Sequence, residues 1–149
     1  MRQSSARAAI VAAALLAAAL SASPGFAAPI AVSDAWFRAL PVHLPAGGYF
    51  TLHNGSNKTV TLDAASSPAC GMLMLHKSEE MSGMASMSDV ARIDVPAGGT
   101  LSFAPGGYHL MCMNPTALLK QGTNVPVSLH LADGTAIAAS FAVRSATGK

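Results

Sequence analysis

Pro105-Gly106-Gly107-Tyr108-His109-Leu110-Met111-Cys112-Met113 is the stretch that decides the fold. Its Pro-Gly-Gly opening is a tight turn, and the residues from Tyr108 to Met113 leave that turn as a strand. Successive side chains on a strand point to opposite faces. His109, Met111 and Met113 therefore share one face, while Leu110 and Cys112 share the other. One side is aliphatic and suited to a core; the opposite side carries imidazole and thioether.

A second stretch, Met72 to Lys77, has the same division. His76 lies on a face with Met72 and Met74, and Leu73 and Leu75 lie opposite. Further strands are expected at Val32–Arg38, Gly48–His53, Thr59–Ala65, Val90–Val95, Thr100–Phe103, Val125–Leu131 and Ala136–Val143. Turn signals separate them, including Asn54-Gly55, Pro96-Ala97-Gly98-Gly99 and Asp133-Gly134. Ser78 to Ser86 has no periodicity and reads as a loop. The expectation is all-β: eight or nine strands in a Greek-key sandwich or barrel, with no long helix.

The N-terminus has a different character. Arg2 and Arg7 precede an apolar run from Ala8 to Leu20, and Pro24, Gly25 and small residues follow. A basic head, a short apolar middle and a small-residue end are the marks of a secretory signal peptide, here residues 1–27. The run is short for a membrane span. Residues 28–149 then form one domain, with no repeat, linker or low-complexity tract to divide it.

Two of the nine basic residues fall in the leader, so seven basic residues face seven acidic ones in the domain. That balance removes the electrostatic case for nucleic acid or an anionic membrane. The acidic residues form no evident pair for acid–base work, and no nucleophile elbow is present. An enzyme is not expected. Cys70 and Cys112 are the only cysteines, and an exported chain could join them.

Sulfur of another kind is concentrated. Seven of the eight methionines lie between Met72 and Met113, whereas a flexible core filler would be scattered. If the strands bearing His76 and His109 end near each other, two imidazoles and the thioether of Met111 converge. Met87 can add a fourth donor where the intervening segment returns to a strand. Mg(II), Ca(II) and Mn(II) take oxygen donors, and Zn(II) favours thiolate, imidazole or carboxylate. Cu(I) is the soft ion that accepts sulfur and imidazole together. Met81 and Met84 are candidates for transient ligands or for a Met-bearing flexible loop. Met72, Met74 and Met113 read as packing, and His43, His53 and His130 as solvated histidines.

The spacing His76, ten residues, Met87, twenty-one residues, His109, one residue, Met111 resembles the ligand signature of the periplasmic PCuAC copper chaperone family. Val32-Ser33-Asp34-Ala35-Trp36-Phe37-Arg38, Ala46-Gly47-Gly48-Tyr49-Phe50 with Asn54, the 105–111 stretch and Lys120-Gln121-Gly122 extend the resemblance across the domain. It implies a cupredoxin-like barrel and Cu(I) bound by His76, Met87, His109 and Met111. It also implies a periplasmic monomer that delivers copper to the CuA centre of cytochrome c oxidase subunit II, or to a thiol-bearing assembly factor. The chain departs from the family at its C-terminus, which lacks the His- and Met-rich extension of some relatives. It departs again at Cys112, where an aliphatic residue is expected. Competing readings are a blue-copper electron carrier using Cys112, thiol redox chemistry, and a β-sandwich interaction module without metal.

Overall fold

Alternating burial gives every core strand an inner and an outer face. The computed structural model describes residues 29–41 and 44–149. The expected leader and His43 lie outside the described residues. Ten strands and no helix are present among those residues: β1 (Ile30–Arg38), β2 (Ala46–Asn54), β3 (Val60–Ser66), β4 (Cys70–Met81), β5 (Met84–Asp89), β6 (Ile93–Val95), β7 (Thr100–Phe103), β8 (Tyr108–Pro115), β9 (Asn124–Leu131) and β10 (Ala136–Arg144).

They form one continuous sheet in the order β5-β4-β8-β2-β1-β10-β9-β3-β6, with β7 also paired to β2. The sheet remains open at β5 and β6 and folds over so that β3 meets β4 across the core. The all-β expectation holds. Only β1 and β10 pair in parallel; the other pairings are antiparallel.

The core is built from inward positions of both halves. Phe37, Phe50, Leu52, Leu62, Leu110, Leu129 and Phe141 are fully buried, and each such side chain contributes about 1.5–3 kcal/mol through burial. Phe50 packs on both Phe103 and Phe141, at centroid distances of 4.4 and 5.7 Å. Asn54 and His109 are the buried polar residues among those described; the side chain of Asn54 is fully hydrogen-bonded. Its amide donates to the carbonyls of Lys58, Val95 and Pro96 at 2.8–3.0 Å, and its Oδ1 accepts from the Ser56 backbone N–H and hydroxyl. Asn54-Gly55 thus turns the chain, but into a crossover between sheet halves, since β2 and β3 do not pair.

One β-bulge prepares the outer face. Ser33 pairs with Thr51 and Trp36 with Tyr49, so β1 carries one residue more than β2 between the two pairs. Asp34 takes the left-handed conformation, φ 51°, within this bulge. The extra residue keeps Trp36 on the outer face beside Tyr49.

The segment from Ser78 to Ser86 corrects the loop expectation. β4 runs on to Met81, β5 begins at Met84, and the two form a hairpin registered from His76↔Asp89 to Met81↔Met84. Ser82 and Gly83 both have positive φ, 54° and 77°, which suits the twist of a two-residue hairpin turn. All six residues of β5 are exposed, so no apolar alternation marks the strand in sequence.

Candidate metal centre

β4 and β8 are antiparallel neighbours, and their register sets His76 directly against His109. The next outer-face row toward the β4 N-terminus pairs Met74 with Met111, and the one after it pairs Met72 with Met113. On the other side β4 pairs with β5, which places Asp89 opposite His76 and Met87 opposite Ser78. Positions two apart share a face. Met87 and Met111 therefore flank the histidine pair from adjoining rows of the same outer surface. The opposite faces of these strands send Leu73, Leu75, Leu110 and Cys112 into the core.

The two imidazoles sit 5.6 Å apart between centroids, edge to face at 76°. His109 is only 5% exposed. Its Nδ1 lies 3.1 Å from the Gly107 carbonyl oxygen, which can only accept, so Nδ1–H is the donor. That carbonyl also accepts from the Ser78 backbone N–H at 3.0 Å, tying the imidazole to β4. The proton on Nδ1 leaves the lone pair on Nε2, and Nε2 is buried with no hydrogen-bond partner. Burial pushes the His109 pKa below its ordinary value; the bond to Gly107 opposes this, and the neighbouring His76 adds to it. His109 thus has the tautomer and charge state of a neutral nitrogen ligand.

His76 Nε2 lies 2.8 Å from Asp89 Oδ1. The contact is off the hydrogen-bond line, and both ring nitrogens of His76 lack hydrogen bonds. Asp89 is mostly exposed, so the contact is a weak one. Unpartnered buried polar atoms are uncommon in folded proteins. Here three of them are imidazole nitrogens of two adjacent rings.

Beside the pair is an open hollow walled by Arg38, Tyr49, Met87, His109 and Met111, roofed by Pro105-Gly106. His76, opposite His109 on β4, does not line it. Tyr49 lies across β2 because Gly47 has no side chain: a Cβ there would fall 2.6 Å from the Tyr49 hydroxyl oxygen. Trp36 stacks on Tyr49 at 4.8 Å, and the Arg38 guanidinium lies 5.5 Å from the Tyr49 ring centre. Trp36 is thereby one ring removed from the hollow.

The four candidate donors are two imidazoles and two thioethers. Among the described residues, no three His, Cys, Asp or Glu side chains converge as a metal-binding group. Cys70 and Cys112 form a disulfide, with Cα atoms 5.3 Å apart, and no cysteine is free. This overturns the blue-copper reading, and burial of both sulfurs disfavours thiol redox chemistry. Cys112 offers no thiolate, and it points into the core, away from His109.

Several other expectations are settled by position. Met81 and Met84 face each other across the hairpin tip, on the side of the hairpin opposite Met87. Met72, Met74 and Met113, read as packing, stand on the outer face that alternation gives them, and Met72 is 57% exposed. His53 and His130 hydrogen-bond to the hydroxyls of Thr100 and Ser66, on strands away from the centre. Asp89, Arg38, Tyr49 and Gly47 were not singled out as site residues. Asp89 meets His76 only through the hairpin register. The other three fall inside the quoted 32–38 and 46–50 motifs, which was the available signal.

Residues 30–143 match a family model described as "Putative lipoprotein LpqE-like". A curated relative, "Putative lipoprotein Lxx21020" of Leifsonia xyli subsp. xyli, is 34% identical over 120 residues, covering 80% of this chain and 72% of the relative. Among solved structures, that of CuI-DR1885 from Deinococcus radiodurans is 32% identical with a TM-score of 0.64, covering 80% of this chain and 81% of that one. The copper-bound PCuAC domain from PmoF2 also superposes with a TM-score of 0.64, covering 79% of this chain and 94% of that one. Its 18% identity makes it a likeness of fold alone.

Proposed function

The chain belongs to the LpqE-like family, which is of the PCuAC type, and on that footing we propose that it is an exported carrier of Cu(I). His76 and His109 would supply imidazole nitrogen to the ion, and Met87 and Met111 thioether sulfur. The observation that carries this reading is the buried, unpartnered Nε2 of His109, next to His76, whose Nε2 meets only the exposed Asp89 carboxylate, on a face flanked by two methionines. Copper in the named structure of CuI-DR1885 supports the same cargo.

The donor chemistry suits transport. None of the four ligands carries charge, so the ion's own charge is not cancelled and it stays exchangeable. Thioether needs no deprotonation and forms no disulfide, which fits an oxidising compartment. The lipoprotein relatives support export to the cell envelope, and we place the carrier in the periplasm. No helix among the described residues is long and apolar enough to cross a membrane.

Transfer would proceed by ligand exchange, not by catalysis. Met87 is 63% exposed on the hairpin and is the natural first ligand to be displaced. Gly107 holds His109 in orientation while this happens. The proposed acceptor is the CuA centre of cytochrome c oxidase subunit II, or a thiol-bearing assembly factor that serves it.

Anaerobic titration of Cu(I) against a competing chelator tests the carrier. One tightly held equivalent is expected, and mixing the loaded protein with an apo CuA domain should move it. Absence of competition with the chelator contradicts the reading.

A further inference from the structure

We propose that Met72, Met74 and Met113 form a second site for a soft monovalent cation, Cu(I) or Ag(I), beside the histidine pair. Met72 faces Met113 across β4 and β8, and Met74 faces Met111 in the adjoining row. Cβ atoms of directly opposed residues are about 4.5–5.5 Å apart, and same-face residues along a strand about 7 Å apart. A Met side chain has three rotatable bonds beyond Cα, so three sulfurs from these rows can close on one ion.

Burial gives the independent argument. Leu73, Leu75, Leu110 and Cys112 fill the core side of the same strands, and no methionine belongs to the core cluster. Met72 is 57% exposed, and Met74 and Met113 are half-buried on the outer face. Unbranched, flexible side chains in such a place bring little packing, and polar residues would be cheaper in water. Three in two adjoining rows, next to a fourth that already faces the imidazoles, make a thioether track.

The track ends at the histidine pair, because Met74 and Met111 occupy the row beside His76 and His109. An ion held by thioether alone would be bound weakly. It would step to the imidazoles without leaving the surface. Binding at the three methionines needs neither histidine; the hand-over alone rests on the carrier reading above. The Met81–Met84 pair lies on the opposite side of the β4–β5 hairpin and is excluded from the track.

Ag(I), which needs no reductant, is the probe. Native mass spectrometry and methyl spectra of 13C-methionine protein are recorded during titration of the full chain, alongside Met72→Leu/Met113→Leu. Leu conserves volume, so the fold should survive. The wild type should take two ions and the double variant one, with the first binding constant unchanged. The second equivalent should shift the methyls of Met72 and Met113. A wild type that is saturated without any shift of the Met72 and Met113 methyls overturns the proposal. So does a double variant that still takes two, or a second equivalent that moves Met81 and Met84 instead. If a single equivalent binds and shifts the methyls of Met72 and Met113 while that of Met87 never shifts, the track stands and the carrier site fails.

Discussion

His76 and His109 face each other across β4 and β8, 5.6 Å between ring centres, and neither His76 nor the Nε2 of His109 has a hydrogen-bond partner. A single residue of slip in the β4–β8 register would turn one imidazole into the core. The aliphatic faces of both strands prevent that slip. Core packing on one side of the sheet thus fixes the chemistry on the other.

His109→Ala should weaken Cu(I) binding by more than about 100-fold, beyond the 10–100-fold of an outer-shell change. Its only hydrogen bond is to Gly107, so the loss in stability should be modest, about 1 kcal/mol for that bond. Chelator competition and urea unfolding measure the two effects.

Met111→Leu should reduce affinity more than Met87→Leu. Met87 is exposed and must be ordered on binding, at a cost of up to about 2 kcal/mol for a Met side chain, whereas Met111 is already half-buried. Met87→Leu should instead slow transfer to an acceptor, as read by stopped-flow mixing. Equal affinities for the two variants would contradict this ranking.

The pKa of His109 lies below its ordinary 6.5, chiefly through burial. Between the lowered folded value and 6.5 the unfolded chain binds more protons than the folded one. Stability then rises with pH in that window. Metal-free protein should be fully stabilised above pH 6.5 and lose that contribution as pH falls toward the folded value. His109→Ala should flatten this part of the profile. Urea midpoints at closely spaced pH values check the sign.

Replacement of both Cys70 and Cys112 by Ala should leave Cu(I) affinity unchanged. The bridge spans 42 residues, and chain entropy gives such a loop about 4 kcal/mol of stabilisation. The variant should unfold at lower urea while binding copper as the wild type does. A parallel loss of copper affinity would implicate sulfur from these residues.

The sequence discloses those parts of the fold in which one face is buried. Leu73 and Leu75, Leu110 and Cys112, and Val125 through Leu131 alternate because each strand has a core side, and those strands are where the alternation places them. The β4–β5 hairpin does not show itself, because β5 is exposed on both faces and its pairing is held by backbone. β6 is shorter than the expected 90–95 strand, starting only at Ile93. The outer position of Met72 and Met113 was correctly assigned to a face, but solvent exposure depends on what covers that face, which strand periodicity does not encode. Asp89 beside His76 was equally hidden, since the residues meet only once Ser82-Gly83 has turned the chain.

X-ray absorption at the copper edge of the protein loaded with one equivalent of Cu(I) tests the central claim most directly. Two nitrogen and two sulfur neighbours are predicted, with one nitrogen lost in His109→Ala and one sulfur in Met111→Leu. A first shell of oxygen and nitrogen without sulfur, or a shell unchanged in both variants, would contradict a centre made of two imidazoles and two thioethers.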